Sequence, residues 1–382
     1  MESVAVGVLV EEGCQRGAAE LSLAPQHRQK GSALLAQKHS FPPGLLQAIV
    51  ASIEAFPLRV WVVDNSGSMN MSGGSRIVES KGKVRASHAC ACVNVTRWAE
   101  LGDSVRMAAE ITTALGARTD FNLLNATPAG QFFTVGFDER IGIPPNTLCD
   151  EAGMSKVMSE SPCGRTPLTQ AVQAIIAAVA PVAHKLQASG QQVAVIIATD
   201  GLPDDSNSFL AALQQLQQLP VWIVVRLCTD DVRSRSTMCE AVVEYWGSLD
   251  KQLEAPLEVL DDLIGESEEI YAVSPWLTYG PPLHYAREFG SKNKLFDLLD
   301  ERKLLPSQVK ELVESILGCK PLPEPEVDIS DFIKAVKAEQ ANIPLVFDPK
   351  RRLRLPWFDV KGMRQLISSD SSYVWLAMQC VL

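Results

Sequence analysis

Two short apolar runs stand out along the chain, Leu58–Val63 (LRVWVV) and residues 193–198 (VAVIIA). Each is rich in β-branched residues and only a few residues long, as expected of a strand buried on both faces. Each also stops abruptly in turn formers and oxygen-bearing side chains. The first runs into Asp64-Asn65-Ser66-Gly67-Ser68 and the second into Thr199-Asp200-Gly201, so both strands should end in polar loops.

A different period follows the first run. Trp98, Leu101, Val105, Ala108, Ile111 and Leu115 recur every three or four residues, opposite Glu100, Asp103, Arg106 and Glu110. This pattern predicts an amphipathic helix from near Arg97 to a stop at Gly116. Ahead of it, the strand-like residues 75–95 around Lys81-Gly82-Lys83 predict an inserted hairpin. Strands are expected at 121–124, 131–137 and 221–227, and helices around 208–219 and 236–249. A further helical stretch, 167–188, must kink or break at Pro181. Alternation of this kind predicts βαβ crossovers and a largely parallel sheet covered on both faces, with ligands gathering outside the carboxyl ends of the strands. The oxygen-bearing loops fall there.

The two ends of the chain read differently. Residues 1–45 carry no sustained period and suggest a loosely ordered tail, with a short helix near 45–56 leading into an α/β domain over 46–273. Residues 274–382 read as a mainly helical extension docked on the sheet, with helices at 286–302, Pro306–Leu317 and about 329–341. The second of these carries a stripe of Val309, Leu312, Val313, Ile316 and Leu317 that must be covered. A closing hairpin is expected from 344–347 and 353–358 around Asp348-Pro349.

Composition narrows the function classes. Of 382 residues, 46% are hydrophobic and 21% charged, enough to bury a full core. The net charge of -10 disfavours binding to nucleic acid or anionic lipid by counterion release. The short basic run Lys350, Arg351, Arg352 and Arg354 reads as a solvated turn. No basic leader precedes the apolar residues near the start, and no unbroken apolar run approaches the roughly 20 residues of a membrane span. The nine cysteines include no CxxC pair, and Cys90 and Cys92 read as buried thiols. A soluble cytoplasmic protein without membrane insertion is the simplest expectation.

The candidate chemistry lies in three loops. Asp64, Ser66 and Ser68, then Thr166 in Gly164-Arg165-Thr166-Pro167-Leu168, then Asp200 offer hard oxygen donors without His or Cys, a set suited to Mg²⁺ or Mn²⁺. Singly, each has a plainer reading: Asp64 as a turn cap, Thr166 as a helix N-cap before proline, Asp200 as a turn residue. Together, Asp64-Asn65-Ser66-Gly67-Ser68, Thr166 and Thr199-Asp200-Gly201 resemble the DxSxS, threonine and TDG elements of the metal-ion-dependent adhesion site of the von Willebrand factor A family.

The resemblance spans roughly residues 57–273. It implies a six-stranded, Rossmann-like, doubly wound domain. It further implies a metal held by Ser66, Ser68 and Thr166, with Asp64 and Asp200 acting directly or through water. A vacant position would accept an Asp or Glu from a protein partner. The stretch between Met69 and Arg97 is longer than that family's minimal loop, so it is expected to shade or widen the site. An enzyme is not expected. There is no GxxxxGK[ST] phosphate loop or GxSxG elbow, Ser66 stands where a haloacid-dehalogenase type of phosphatase would want a second aspartate, and none of His27, His39, His88, His184 and His284 lies in a base motif. A metal-free scaffold and, further off, Mg²⁺-dependent phosphoryl transfer are the alternatives.

Overall fold

The computed structural model describes residues 25–79, 90–136, 138, 141–146, 151–228, 237–253 and 257–379. Its strands are β1 (Leu58–Val63), β2 (Ser72–Glu79), β3 (Cys90–Thr96), β4 (Thr119–Thr127), β5 (Gly130–Val135), β6 (Val193–Thr199), β7 (Val221–Leu227), β8 (Glu258–Leu260), β9 (Val346–Asp348) and β10 (Leu353–Leu355). The helices of the first part are α1 (Pro25–His39), α2 (Pro43–Ala55), α3 (Arg97–Leu115), α4 (Glu151–Val157), α5 (Leu168–Val179), α6 (Ala183–Ala188), α7 (Ser206–Gln217) and α8 (Thr237–Gln252). Those of the second part are α9 (Leu263–Val273), α10 (Pro281–Glu288), α11 (Lys294–Glu301), α12 (Pro306–Leu317), α13 (Ile329–Gln340) and α14 (Val360–Gln379).

Six strands form one sheet in the order β5-β4-β1-β6-β7-β8, parallel except for β5 at one edge. This is a Rossmann-like, doubly wound α/β arrangement. Strand alternation sorts the side chains into two layers. Leu58, Val60, Val62, Val193, Val195 and Ile197 pack with α5, α7 and α8 on one face. Trp61, Val63, Ala194, Ile196 and Ala198 join α2, α3, α10 and α12 on the other.

The inserted hairpin is present as the antiparallel pair β2 and β3. Its expected turn, Lys81-Gly82-Lys83, lies outside the described residues, as do residues 1–24 of the expected tail. Part of that tail is not loose, because residues 25–39 form α1. Leu35 is buried, and Lys38 Nζ meets Glu110 on α3 at 2.7 Å. A tertiary contact thus supports a helix with no amphipathic period of its own. Cys92 is half-buried rather than buried. Lys350, Arg351 and Arg352 of the basic run occupy the β9–β10 turn and Arg354 lies in β10; Lys350 Nζ is 3.8 Å from the centre of the Tyr271 ring.

Other local expectations need correction. The helix expected over 286–302 is two helices, α10 and α11, separated at Gly290, whose φ of +89° a helix cannot accommodate. The closing hairpin is followed by α14, hidden in sequence by the poor helix formers Ser368, Ser369, Asp370, Ser371 and Ser372 and held by buried Met363 and Ile367. Strand β8, three residues long, is too short to show a period. The stretch Leu168–Ala188 is long and apolar enough by composition to cross a membrane. It breaks into a 3-10 turn at Ala180–Val182, and Leu168, Val172, Ile175 and Val179 cover the sheet.

The C-terminal helices share the core of the sheet. The stripe on α12 is buried throughout, and its end meets α2 so closely that a Cβ on Gly44 would fall 2.2 Å from Ser315 O. Polar ties add direction. Arg59, buried in β1, donates from Nε to Phe289 O (2.8 Å), from Nη1 to Phe56 O (3.0 Å) and from Nη2 to Ser52 Oγ (2.7 Å). Arg226 pairs with Glu100 and, at 3.1 Å, with Glu288, while Arg287 reaches Glu258 at 3.2 Å and Glu266 at 2.6 Å.

Because Leu312 is fully buried in this shared core, Leu312→Ala should lower the unfolding free energy by about 2–5 kcal/mol in a urea titration. A loss below about 1 kcal/mol would show that α12 contributes little to the core.

Candidate metal centre

The chain runs from β1 outward to β4 and β5, then returns to build β6, β7 and β8 on the other side of β1. The boundary between β1 and β6 is therefore the topological switch point, the place where ligands gather in sheets of this kind. Val63 lies opposite Ala198, and the next amide, Asp64 N, donates to Ala198 O at 3.0 Å. This register sets Asp64 beside Thr199 and Asp200.

Asp64 is fully buried. Its Oδ1 accepts the backbone N–H of Ser66 (2.8 Å), closing a local turn, and its Oδ2 accepts Thr199 Oγ1 (2.6 Å). Burial pushes the Asp64 carboxyl above its ordinary range, against the bonds from Thr199 and Ser66, which favour the charged form; the Asp200 charge pushes it further up. The chain then tightens into a 3-10 turn at Gly67–Asn70 that turns Ser68 inward. Ser66 Oγ and Ser68 Oγ are 3.0 Å apart, and Ser68 Oγ donates to Asp200 Oδ1 at 2.7 Å.

The third loop is clamped to the first. Cys163 N donates to Asn65 O (2.8 Å) and Gly67 N to Gly164 O (3.2 Å). Asn65 exchanges two bonds with the backbone of Asn125, giving from Nδ2 to its O at 2.9 Å and accepting from its N at 2.8 Å; Asn125 Nδ2 then holds Arg165 O at 2.8 Å. Gly164 has a φ of +103°, and a Cβ there would lie 2.4 Å from Asn125 Oδ1, so the clamp needs glycine. Thr166 follows, with its O accepting Asp204 N at 3.3 Å and its Oγ1 3.9 Å from where a Cβ on Gly201 would stand. Helix α5 begins after Pro167 without a side-chain cap, so the Thr166 hydroxyl does not serve as the helix N-cap. Asp205 does serve as one, for α7, accepting from Asn207 N and Ser208 N.

Asp64, Ser66, Ser68 and Asp200 are thus joined in one hydrogen-bonded cluster, and the Thr166 hydroxyl lies beside Gly201, the residue after Asp200. The donor set fits a small hard cation. The two serine oxygens lie 3.0 Å apart as a hydrogen-bonded pair and would have to turn from each other's bond to face an ion.

One neighbour of the cluster is not foreshadowed by any motif. Arg97 Nη1 donates to Asp200 Oδ2 at 2.7 Å, with the two side chains 8% and 0% exposed. In the sequence Arg97 marks only the start of a helix, and the hairpin that carries it to the site shows no signal of that destination. The roles of Asn65 and Asn125 are likewise invisible there, because they depend on contacts across 60 residues. Apart from this site, Glu266, Glu269 and Asp300 bring carboxylate oxygens within 4.8 Å of one another near the α9–α11 contact, where Glu266 already pairs with Arg287.

Compared with known proteins, the chain matches no family model and no curated sequence.

Replacing Asn65 removes a buried clamp between the loop after β1 and strand β4 and leaves the Asn125 backbone with unmet bonds. Asn65→Ala should therefore cost about 1–3 kcal/mol in denaturant titration. An unchanged midpoint would show that the loops are held by other contacts.

Proposed function

We propose that this chain binds one divalent cation, Mg²⁺ or Mn²⁺, at Asp64, Ser66, Ser68, Thr166 and Asp200, and uses it to grip a carboxylate on a protein partner. The observation that carries this proposal is the cluster at the β1–β6 switch point, where Asp64, Ser66, Ser68 and Asp200 from separate loops bring oxygen donors together. The likeness of these residues to the adhesion site of the von Willebrand factor A family supports the same assignment. Within it, Ser66, Ser68 and Thr166 supply neutral hydroxyl ligands, and Asp64 and Asp200 supply the negative charge. A bound ion would act as an electrophile toward an incoming Asp or Glu. Mg²⁺ gives up its waters reluctantly, so one such contact confers modest affinity and the surrounding surface must supply specificity.

A metal-free scaffold is the second reading, and one observation favours it: the Arg97–Asp200 pair already balances a carboxylate of the site. Titration calorimetry of the full chain with MgCl₂ or MnCl₂ separates the two. Binding is expected in the unaltered protein and should be lost in Asp64→Ala and in the isosteric Asp64→Asn. Heat that persists unchanged in both variants would remove the metal from this site.

Partner capture supplies the functional test. Retention of a partner from cell extract in Mg²⁺ should disappear with EDTA and weaken in Thr166→Ala, whose circular dichroism should match the unaltered chain. The same partners in all three conditions would favour the scaffold.

A further inference from the structure

Given a divalent cation held by Asp64 and Asp200, as proposed above, we infer that Arg97 is a tethered cation that balances the site's carboxylates and sets how tightly a metal can bind. Asp200 has both oxygens engaged, Oδ1 by Ser68 Oγ and Oδ2 by Arg97 Nη1, each at 2.7 Å. Ser68 donates its proton to Asp200 while touching Ser66, so the hydroxyls that would face an ion are turned into an internal network. The guanidinium is the positive member of that network.

Its position has a local cost that the pairing with Asp200 offsets. Arg97 is the first residue of α3, where the helix dipole presents partial positive charge and a cation is disfavoured. A side chain 8% exposed also forgoes most of its hydration. The hairpin insert fixes it there: Arg97 N donates to Met71 O at 3.0 Å, closing the two ends of the insert just beyond Ser68, and Thr96 caps the helix through Ala99 N at 3.2 Å. The insert between Met69 and Arg97 thus delivers a charge to the site.

Asp64 and Asp200 together can offer two negative charges to an ion, and Arg97 cancels one of them. A unit positive charge within roughly 6 Å of a divalent ion in a partly desolvated site costs more than one factor of ten in affinity. Arg97 therefore keeps metal binding weak and reversible, while the site stays folded without an ion.

The test uses the full chain and MnCl₂ alone, read by titration calorimetry and by the loss of free Mn²⁺ signal in electron paramagnetic resonance. Arg97→Gln should tighten Mn²⁺ binding about tenfold or more, and adding Asp64→Asn to it should abolish that gain. Arg97→Lys keeps the charge and should stay within about threefold of the unaltered chain. Equal affinities for the unaltered chain and a folded Arg97→Gln would overturn the role of Arg97 while leaving the metal site standing. Tightening by Arg97→Lys as large as that by Arg97→Gln would overturn it too, by removing charge as the cause. No Mn²⁺ binding in any variant would instead reject the metal site itself, and this inference with it.

Should Arg97→Gln fold poorly, the unaltered chain carries the test. Because Arg97 stands in for the ion, EDTA should leave its Tm within about 1–2 °C of that in millimolar Mg²⁺, as weak ligand binding adds little stability. A fall of more than about 5 °C would overturn the inference.

Discussion

Parallel pairing of β1 with β6 forces two carboxylates, Asp64 and Asp200, out of a hydrophobic sheet at neighbouring positions, both nearly withdrawn from water. Two such groups cannot remain charged side by side unless something answers them. Thr199 and the Ser66 amide answer Asp64; Ser68 and Arg97 answer Asp200. The tight turn after β1, the inward serines and the arginine at the end of the hairpin all follow from this one electrostatic demand. Under the proposed function, a bound cation would answer the same carboxylates from outside this network.

Charge burial recurs on the helical side of the sheet and there serves attachment. Arg59, Arg226 and Arg287 each leave water and find partners on segments distant in sequence: the Phe289 carbonyl, Glu100 and Glu288, and Glu258 and Glu266. A buried pair is a weak source of net stability, but a broken one is costly, so these contacts select one docking of the C-terminal helices over others. Hydrophobic burial of the α12 stripe supplies the driving force. Glu100 links the two regions: it accepts Ser75 N at the base of the hairpin (2.6 Å) and pairs with Arg226 from the sheet. The hairpin that places Arg97 is thereby anchored to the same ionic chain that holds Glu288 of α10.

By itself the sequence determined whatever depends on local period and local chemistry. The two apolar strands, the α3 stripe with its glycine stop, the break at Pro181 and the α12 stripe are each written in residues a few positions apart, where strand alternation and helical pitch act directly. The oxygen donors at the strand ends were equally legible, because Asp, Ser and Gly directly after a buried strand put polar side chains into a tight turn at the carboxyl edge of the sheet. Only the tertiary structure decided what those donors meet. The helix at 25–39 exists through its contact with α3, and β8 through pairing with β7. The pairing of Arg97 with Asp200 spans 103 residues and arises where a hairpin closes against a sheet edge. Local pattern carries no information about which distant charge will fill a desolvated site, since that is settled by where the chain folds back and which group reaches the buried carboxylate.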